Sequence, residues 1–304
     1  MANTSKDADL FEFVGPRDSL AGKTYRHVSF WGDVIQRYMR NKVNLVFALV
    51  LLVIILCSII IPTVRSGSIN GVIVSSIKAK PSFEHWWGCD KFGHDVFVKV
   101  WKGGQVSFFV GFVSAFLQAV IGIIVGCIAG YYGGKVDMVL MRLVDVLISI
   151  PYLIVVLAIR VVMGSSIWTI VFALVITGWL SMARLVRGQI LHLKQEDYIM
   201  AAHSLGVSGA SVIFHHFIPN ILGVVIVHFT LSVPSAMFSE AFLSFIGLGS
   251  GTVSWGSLIR SGMEVRDSAV VQLIGPSILL ALTMFCVQLN GDAMRDALDP
   301  KLRG

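Results

Sequence analysis

The sequence has 304 residues, of which 55% are hydrophobic and only 14% are charged. A water-soluble domain usually has about 25% charged residues, so this composition excludes an ordinary soluble protein. The net charge of +6 is compatible with nucleic-acid binding, but no basic stripe is interleaved with aromatic residues. Basic segments beside membrane spans give the same net charge. We therefore expect an all-α polytopic membrane protein that binds no nucleic acid.

The apolar residues gather in six blocks, each long enough to cross a hydrocarbon core about 30 Å thick. Continuous apolar runs favour six transmembrane helices, because barrel strands would alternate apolar and polar residues. Pro151, Pro234 and Pro276 lie inside the blocks and predict kinks. The six blocks are 43–62, 106–130, 138–163, 166–183, 221–246 and 269–289.

The lysine and arginine residues predict the orientation of the chain. With the N-terminus inside, the inner segments hold fifteen of these residues and the outer segments hold eight. The positive-inside rule then places both termini in the cytoplasm. Trp31, with basic residues after it, predicts an interfacial helix before the first span. The predicted segments are a cytoplasmic tail with this helix (1–42), the first span (43–62), an extracytoplasmic loop (63–104), a five-helix core (105–291) and a cytoplasmic tail (292–304).

The inner connection 184–220 is unusually long, and membrane connections without a task are usually short. Asp197 can cap a first helix in it, and Gly206 can end that helix. Ser208 offers a second cap before a run that Pro219 ends. The pattern predicts two short helices.

The first of these helices runs from Tyr198 and carries two small residues, Ala201 and Ala202. Small side chains allow another backbone to approach closely. One interpretation is a docking helix for a partner protein, and the other is an ordinary interfacial helix-turn-helix. The residues alone do not decide between them.

Gly122, Gly126 and Gly130 occupy every fourth position of the second block. Small residues at this spacing let helices pack closely where lipid supplies no hydrophobic drive. Apolar spans are glycine-rich by chance, but three glycines in register favour a packing role. We interpret the row as structural.

Four charged residues lie inside the apolar blocks, where each costs about 2.5–3.5 kcal/mol on insertion scales. Arg142 and Asp145 are three residues apart and can pair on one helix face; the others are Arg160 and Glu240. A proton or ion relay is one interpretation. Ion pairing between helices or at the interface is favoured, because Arg142 and Glu240 lie near span ends. No motif predicts a metal site or a catalytic residue.

The residues from Tyr198 to Gly206, followed by Ile218-Pro219-Asn220, resemble the EAA loop of permeases in binding-protein-dependent ABC importers. In that family the loop forms a coupling helix that sits in a cleft of the ATPase subunit. The resemblance implies a coupling role for Asp197, Tyr198, Ala201, Ala202, Gly206 and Pro219.

Further stretches, in the family's order, are similar to the second, C-type permease subunit of peptide, opine and nickel importers. The N-terminal tail looks most like oligopeptide permeases of Gram-positive bacteria. Together the resemblance covers about residues 80–304. The matching stretches are 85–95, 129–134, 141–145, 179–189, 240–249, 254–256 and 291–300.

This resemblance implies the type-I permease fold of ABC importers, in the plasma membrane of a bacterium. It also implies a complex with a homologous second permease, two ATP-binding subunits and an extracytoplasmic peptide-binding lipoprotein. ATP and Mg²⁺ would be bound by the ATPase subunits, so no cofactor is expected in this chain. ATP-driven closure would move the loop, and peptides, oligopeptides above all, would cross by alternating access.

Three residues depart from the family pattern. Met200 stands where the family has the EAA glutamate, and in the outer segment His94 replaces an arginine and Cys89 a threonine. A nickel or glutathione permease of the same family is an alternative. From other classes, the alternatives are a secondary transporter with a proton site at Asp145 or Glu240, and a membrane-anchored scaffold.

Overall fold

A computed structural model of the chain describes residues 30–65 and 81–298, and most of these residues are helical. The prediction of an all-α membrane protein is confirmed for this part of the chain. The helices are α1 (Phe30–Arg40), α2 (Lys42–Val64), α3 (Val96–Tyr132), α4 (Gly134–Ser149), α5 (Tyr152–Met163), α6 (Ile167–Leu193), α7 (Asp197–Ser204), α8 (Gly209–Val212), α9 (Ile218–Phe245), α10 (Trp255–Glu264) and α11 (Val271–Leu298), with a π turn (Ile213–Phe217) between α8 and α9.

Within the described ranges, five helical segments are long and apolar enough to cross a membrane. Helices α4 and α5 would make a sixth span if they were counted together, but they meet at an angle of 88°. The predicted third block is therefore not one continuous helix but breaks at Pro151. Proline disfavours helical geometry in the residue before it, and Ile150 is extended with φ −81° and ψ 124°. Pro234 and Pro276 instead lie inside continuous helices.

Several helices extend beyond the predicted blocks. Helix α3 begins within the predicted loop 63–104, because the Asp95 carboxylate accepts the backbone N–H of Val98 at 3.3 Å and caps the first turn. Helix α6 continues past residue 183 to Leu193. Helix α11 runs on to Leu298, so the predicted tail 292–304 is mostly helical in its described part. Apolar length marks where a helix can cross lipid and does not mark where it ends.

The N-terminal tail 1–42 is described only from residue 30 onward. Helix α1 lies where the interfacial helix was predicted, and its position relative to a membrane surface stays a prediction. Val34 is buried against Ala297 and Leu298 at the end of α11. The Tyr38 hydroxyl donates a hydrogen bond to the Asn290 side-chain oxygen. Helix α1 is therefore attached to the last helix of the bundle.

The core is built around α3, which packs against α6, α9 and α2. Toward the end that carries α10, the fully buried indole of Trp255 packs against Phe108 and donates its Nε1–H to the Val100 carbonyl oxygen at 2.8 Å. A second cluster at the other end joins α6 to the connection 184–220 through buried residues such as Ile190 and Phe217. The connection is thus packed on the bundle.

Candidate functional site

The connection 184–220 is helical over most of its length. Helix α7 begins at Asp197, and the Glu196 carbonyl oxygen accepts the backbone N–H groups of Ile199 at 3.0 Å and Met200 at 3.2 Å. Gly206 follows the helix with φ +75°, a left-handed conformation that glycine adopts at no steric cost. Asp197 therefore lies in the first turn of α7, so the prediction that it caps the helix is wrong, and Gly206 ends the helix as predicted.

The second part of the connection differs from the prediction. Helix α8 begins after Ser208, whose hydroxyl oxygen accepts the backbone N–H of Ser211 at 3.3 Å. The prediction that Pro219 ends this run is wrong, because α8, the π turn and α9 follow one another without a break. Pro219 lies at the start of α9, directly after the π turn. The proline lacks an N–H, and it lies where the π turn has already interrupted the regular hydrogen-bond ladder.

The two small residues of α7 face in opposite directions. Ala202 is buried, and the neighbouring Ile199 is fully buried in the cluster that contains Phe217. Ala201 is exposed. Only Ala201 is therefore available to a partner, whereas Ala202 holds α7 against its own chain.

The exposed surface of α7 includes the predicted Tyr198 together with Met200, and Leu205, directly after the helix, is an exposed residue that the sequence reasoning missed. Leu205 is 84% exposed, and Met200 and Tyr198 are 51% and 43% exposed. A single exposed apolar side chain is ordinary, but three large ones within eight residues form a patch of the kind that marks a contact surface. We name Tyr198, Met200, Ala201 and Leu205 the α7 outer face. Leu205 had a weak signal in the sequence, as an apolar residue just before the terminating glycine.

Contacts with α3 and α9 hold this connection in place. A Cβ atom on Gly209 would lie 2.4 Å from the Tyr131 hydroxyl oxygen, so a larger residue at 209 would displace the Tyr131 side chain from its contact with α8. Lys194 donates to the Tyr131 carbonyl oxygen at 2.9 Å. The Asn220 amide donates to the Tyr198 hydroxyl oxygen at 3.4 Å. The α7 outer face is therefore attached to helices that cross the membrane.

The three glycines of the predicted row face α6. Cβ atoms would lie 2.5 Å from the Met182 side chain at Gly122, 2.7 Å from the Ala183 carbonyl oxygen at Gly126 and 2.7 Å from the Ile190 side chain at Gly130. Real Cβ atoms essentially never come this close to other heavy atoms. The absence of side chains along this face of α3 sets its distance to α6.

Among the intramembrane charges, Asp145 forms an ion pair between helices, as expected, but its partner is not Arg142. The pairing of Arg142 with Asp145 is wrong: Asp145 Oδ1 lies 2.6 Å from Arg184 Nη2 on α6, and both side chains are exposed. Within the described ranges, no ion pair involves Arg142, which is exposed. Arg160 donates to the Gly249 carbonyl oxygen at 2.9 Å. The ion pair between Asp145 and Arg184 thus links α4 to α6.

Glu240 forms no ion pair within the described part of the chain, so the ion-pair interpretation is wrong for this residue. Its side chain is 1% exposed. The carboxyl oxygens accept the Ser107 hydroxyl at 3.0 Å and the Ser244 hydroxyl at 2.7 Å. The Ser107 oxygen in turn accepts the Trp255 backbone N–H at 3.3 Å. The cluster links α3, α9 and the start of α10.

We expect Glu240→Gln to preserve folding and transport, because an amide can still bond both serine hydroxyls. Glu240→Leu leaves the hydroxyls of Ser107 and Ser244 buried without this partner, at a cost of about 1–3 kcal/mol. Thermal unfolding of the purified protein and substrate uptake measure both variants. A Gln variant that is stable but inactive contradicts this structural role and supports a proton relay.

The segment 81–95 is organised by two aspartates. Asp95 Oδ2 lies 3.1 Å from His85 Nδ1 and 3.9 Å from Arg65 Nη1 at the end of α2. Burial alone would raise the pKa of the Asp90 carboxyl. Hydrogen bonds from Lys99 and from the backbone N–H groups of His94 and Phe92 outweigh burial and hold this pKa below its usual value.

The departure residues Cys89 and His94 lie in the same segment. Burial, with the nearby carboxylates of Asp95 and Asp90, raises the pKa of the Cys89 thiol to about 11. His94 Nδ1 lies 3.3 Å from Asp90 Oδ2. The two replacements are thus accommodated within one compact turn beside the start of α3.

Comparison with known proteins identifies the family of the chain. Residues 122–304 match the family model described as binding-protein-dependent transport system inner membrane component. The chain belongs to this family. Residues 29–70 also match the N-terminal TM domain of oligopeptide transport permease C. The chain is therefore embedded in a membrane.

Relatives in this permease family match over nearly the whole chain. The chain is 39% identical to the oligopeptide transport system permease protein OppC of Bacillus subtilis, covering 91% of this chain and 92% of that protein. It is 39% identical to OppC of Escherichia coli strain K12 over the full length of both. The dipeptide transport system permease protein DppC of Bacillus subtilis is 38% identical, with 91% of this chain and 87% of that protein covered.

A solved structure has the same fold as the core of the chain. It is a chain from inward-facing conformations of the MetNI methionine ABC transporter, with a TM-score of 0.56 and 19% sequence identity. The match covers 67% of this chain and 97% of that chain. This likeness confirms the predicted type-I ABC importer permease fold.

Proposed function

We propose that this chain is a membrane-spanning permease subunit of an ATP-driven oligopeptide importer. The observation that carries the proposal is identity of 39%, over the whole of both chains, with an oligopeptide permease. Its family membership and its α7 outer face, packed on membrane-crossing helices, support a transport subunit moved by partner proteins. Catalysis of ATP hydrolysis, with its Mg²⁺, belongs to those partners.

In this proposal the α7 outer face docks on an ATP-binding subunit. Its exposed Tyr198 and Met200 are of the residue types that are enriched where surfaces become buried in a complex. The continuous path from α8 through the π turn into α9 gives the loop a stiff connection to a membrane-crossing helix. Movement of the ATP-binding subunits would then tilt α9 and change which side of the membrane the path faces.

The proposed complex contains a homologous second permease, two ATP-binding subunits and an extracytoplasmic peptide-binding lipoprotein. The proposed location is the plasma membrane of a bacterium, with both termini in the cytoplasm, because more lysine and arginine residues lie in the segments then inside. Under this orientation α7 lies in the cytoplasm, where it can meet ATPases. The Asp90–Asp95 turn lies outside, where a binding protein delivers peptide.

Nickel, glutathione and proton-coupled transport are less favoured. Relatives at 38–39% identity are named for oligopeptides and dipeptides, whereas the glutathione transport system permease protein GsiD of Escherichia coli is 33% identical over 90% of this chain. Neither carboxyl group suggested as a proton site supports proton coupling. Asp145 is exposed and forms an ion pair with Arg184, whereas Glu240 accepts hydrogen bonds from two serine hydroxyls.

The proposed substrate is tested by uptake in cells that lack this chain. We expect deletion to abolish uptake of a labelled tetrapeptide and a plasmid-borne copy to restore it, while an uncoupler added with ATP maintained has little effect. Competition separates the alternatives: unlabelled peptides should inhibit, and nickel or glutathione should not. Normal tetrapeptide uptake after deletion would contradict the proposal.

A further inference from the structure

A partly open cavity of about 450 Å³, lined by both polar and apolar side chains, lies between α3, α5, α6 and α9. Helix α9 contributes Ser232, Ser235 and Ser239 to its wall, and α6 contributes Thr177 and Ser181. Among the described residues that line it, none is lysine, arginine, aspartate or glutamate. The described wall therefore sets hydroxyl groups, the Tyr152 phenol and the His228 imidazole beside apolar residues such as Leu174, and it carries no carboxylate, ammonium or guanidinium group.

The hydroxyl groups follow the helical repeat. Positions 232, 235 and 239 lie on one face of α9, and 177 and 181 lie on one face of α6. A membrane-crossing helix gains nothing from turning such a face toward lipid, where polar groups are costly. Both faces instead meet across the cavity, so the arrangement holds a water-accessible space within the membrane-spanning region.

The wall hydroxyls present their oxygen atoms as hydrogen-bond acceptors. Ser232 donates its proton to the His228 carbonyl oxygen at 2.7 Å, Ser239 to the Ser235 carbonyl oxygen at 2.9 Å, and Thr177 to the Ala173 carbonyl oxygen at 3.3 Å. A hydroxyl has one proton and two acceptor lone pairs. Once the proton is committed to the helix, the group can accept an N–H from a molecule in the cavity.

Gln118 adds a held amide to this wall. Its side chain is 9% exposed, and its Nε2 donates to the Leu174 carbonyl oxygen at 3.0 Å. A Cβ atom on Gly178 would lie 2.2 Å from the Gln118 amide carbon, so only glycine at 178 leaves room for the amide. With the amide nitrogen engaged, its carbonyl oxygen is a further acceptor.

We propose that this cavity is a contact site for the main chain of the transported peptide. Its acceptor groups suit the N–H groups that all peptides share, whatever their side chains. The absence of fixed charge in its described wall keeps it from retaining or rejecting acidic and basic side chains. The inference rests on the proposed peptide-import function and adds the residues that this chain contributes to the path.

Opposite charges introduced at one wall position test the site. The complete importer, carrying Ser235→Asp or Ser235→Lys, is reconstituted in proteoliposomes with ATP inside. Uptake is measured for acidic, neutral and basic tetrapeptides, with binding protein saturated by each. We expect Ser235→Asp to slow acidic relative to basic peptide by about tenfold and Ser235→Lys to reverse this ratio, since like charges repel in a site of low dielectric. Ser261, exposed on α10 and outside the wall, provides the control pair Ser261→Asp and Ser261→Lys, which should leave the ratio unchanged.

Equal uptake ratios in Ser235→Asp and Ser235→Lys would overturn the contact site, even where both variants slow all peptides. If the Ser235 variants do not assemble, the same pair at Ser181 provides the measurement. A wild-type complex that hydrolyses ATP but takes up none of the peptides would overturn the proposed function, and this inference with it. The two failures are therefore distinguishable.

Discussion

Replacing Gly126 by leucine is expected to prevent α3 from packing against α6 and to remove the folded subunit from the membrane. Even a Cβ atom at this position would lie 2.7 Å from the Ala183 backbone oxygen and 2.7 Å from Val186 Cβ. Overpacking usually costs about 1–3 kcal/mol. We expect the upper end of that range or more, because one of the obstacles is backbone that cannot rotate away.

Gly188→Leu is the matched control for this prediction. Gly188 lies on α6, and a Cβ atom there would meet nothing within 4 Å. Both variants are expressed. For each, the amount of protein in the membrane and its thermal stability after purification are compared with those of the wild type. Gly126→Leu should yield little stable protein, whereas Gly188→Leu should match the wild type. Equal stability of the two variants would show that the glycine row is incidental.

Leu205→Asp is expected to abolish peptide uptake while leaving the subunit folded. The side chain is 84% exposed in the isolated chain, so aspartate costs little there. In the docked complex the same position would be dry, and an unpaired carboxylate there costs several kcal/mol. The expected loss of uptake is at least about a hundredfold, which corresponds to about 2.7 kcal/mol.

Leu205→Met provides the control, since it keeps an apolar side chain of similar volume and should retain uptake. Ala202→Asp is unsuitable as a docking test, because Ala202 is buried against its own chain and the change would disturb folding. Uptake and ATPase activity are measured on complexes with equal amounts of this subunit. Wild-type uptake by Leu205→Asp would refute the docking role of the α7 outer face.

The membrane-crossing helices were predictable because the signal for them is local. An uncharged apolar run cannot be exposed to water over its whole length, so blocks such as 106–130 and 221–246 indicate spans without knowledge of their neighbours. Helix ends were less predictable: α3 begins at Val96 because Asp95 caps it, and its first ten residues lie outside any block. The apolar composition of a segment does not predict where a capping residue starts the helix.

Contacts between distant residues could not be derived from the sequence. Arg142 is the partner within reach of Asp145 on its own helix, yet Arg184 on α6 forms the ion pair. Glu240 was expected to require a cation, but Ser107 on α3 supplies a hydroxyl from the opposite side of the core. Both outcomes depend on how helices pack, and periodicity within one helix does not determine that packing.

The sequence indicated which segment forms the candidate site, but it did not indicate which side chains of that segment are exposed. The length of the connection 184–220 singled it out and the EAA-like pattern suggested its role, but residue type did not distinguish Ala201 from Ala202. Only tertiary packing shows that Ala202 faces inward and that Leu205 lies exposed. The continuous connection from α8 to α9 near Pro219 also depends on the π turn between them, and no residue pattern predicted that turn.

Isolation of this chain from its native membrane, under mild detergent, tests the central claim most directly. Mass spectrometry then identifies the proteins that accompany it. The account predicts a second homologous permease and two ATP-binding subunits in stoichiometric amounts, with the ATP-binding subunits lost in Leu205→Asp. A chain that purifies alone, even after crosslinking in the intact membrane, would contradict the importer account and the docking role of α7.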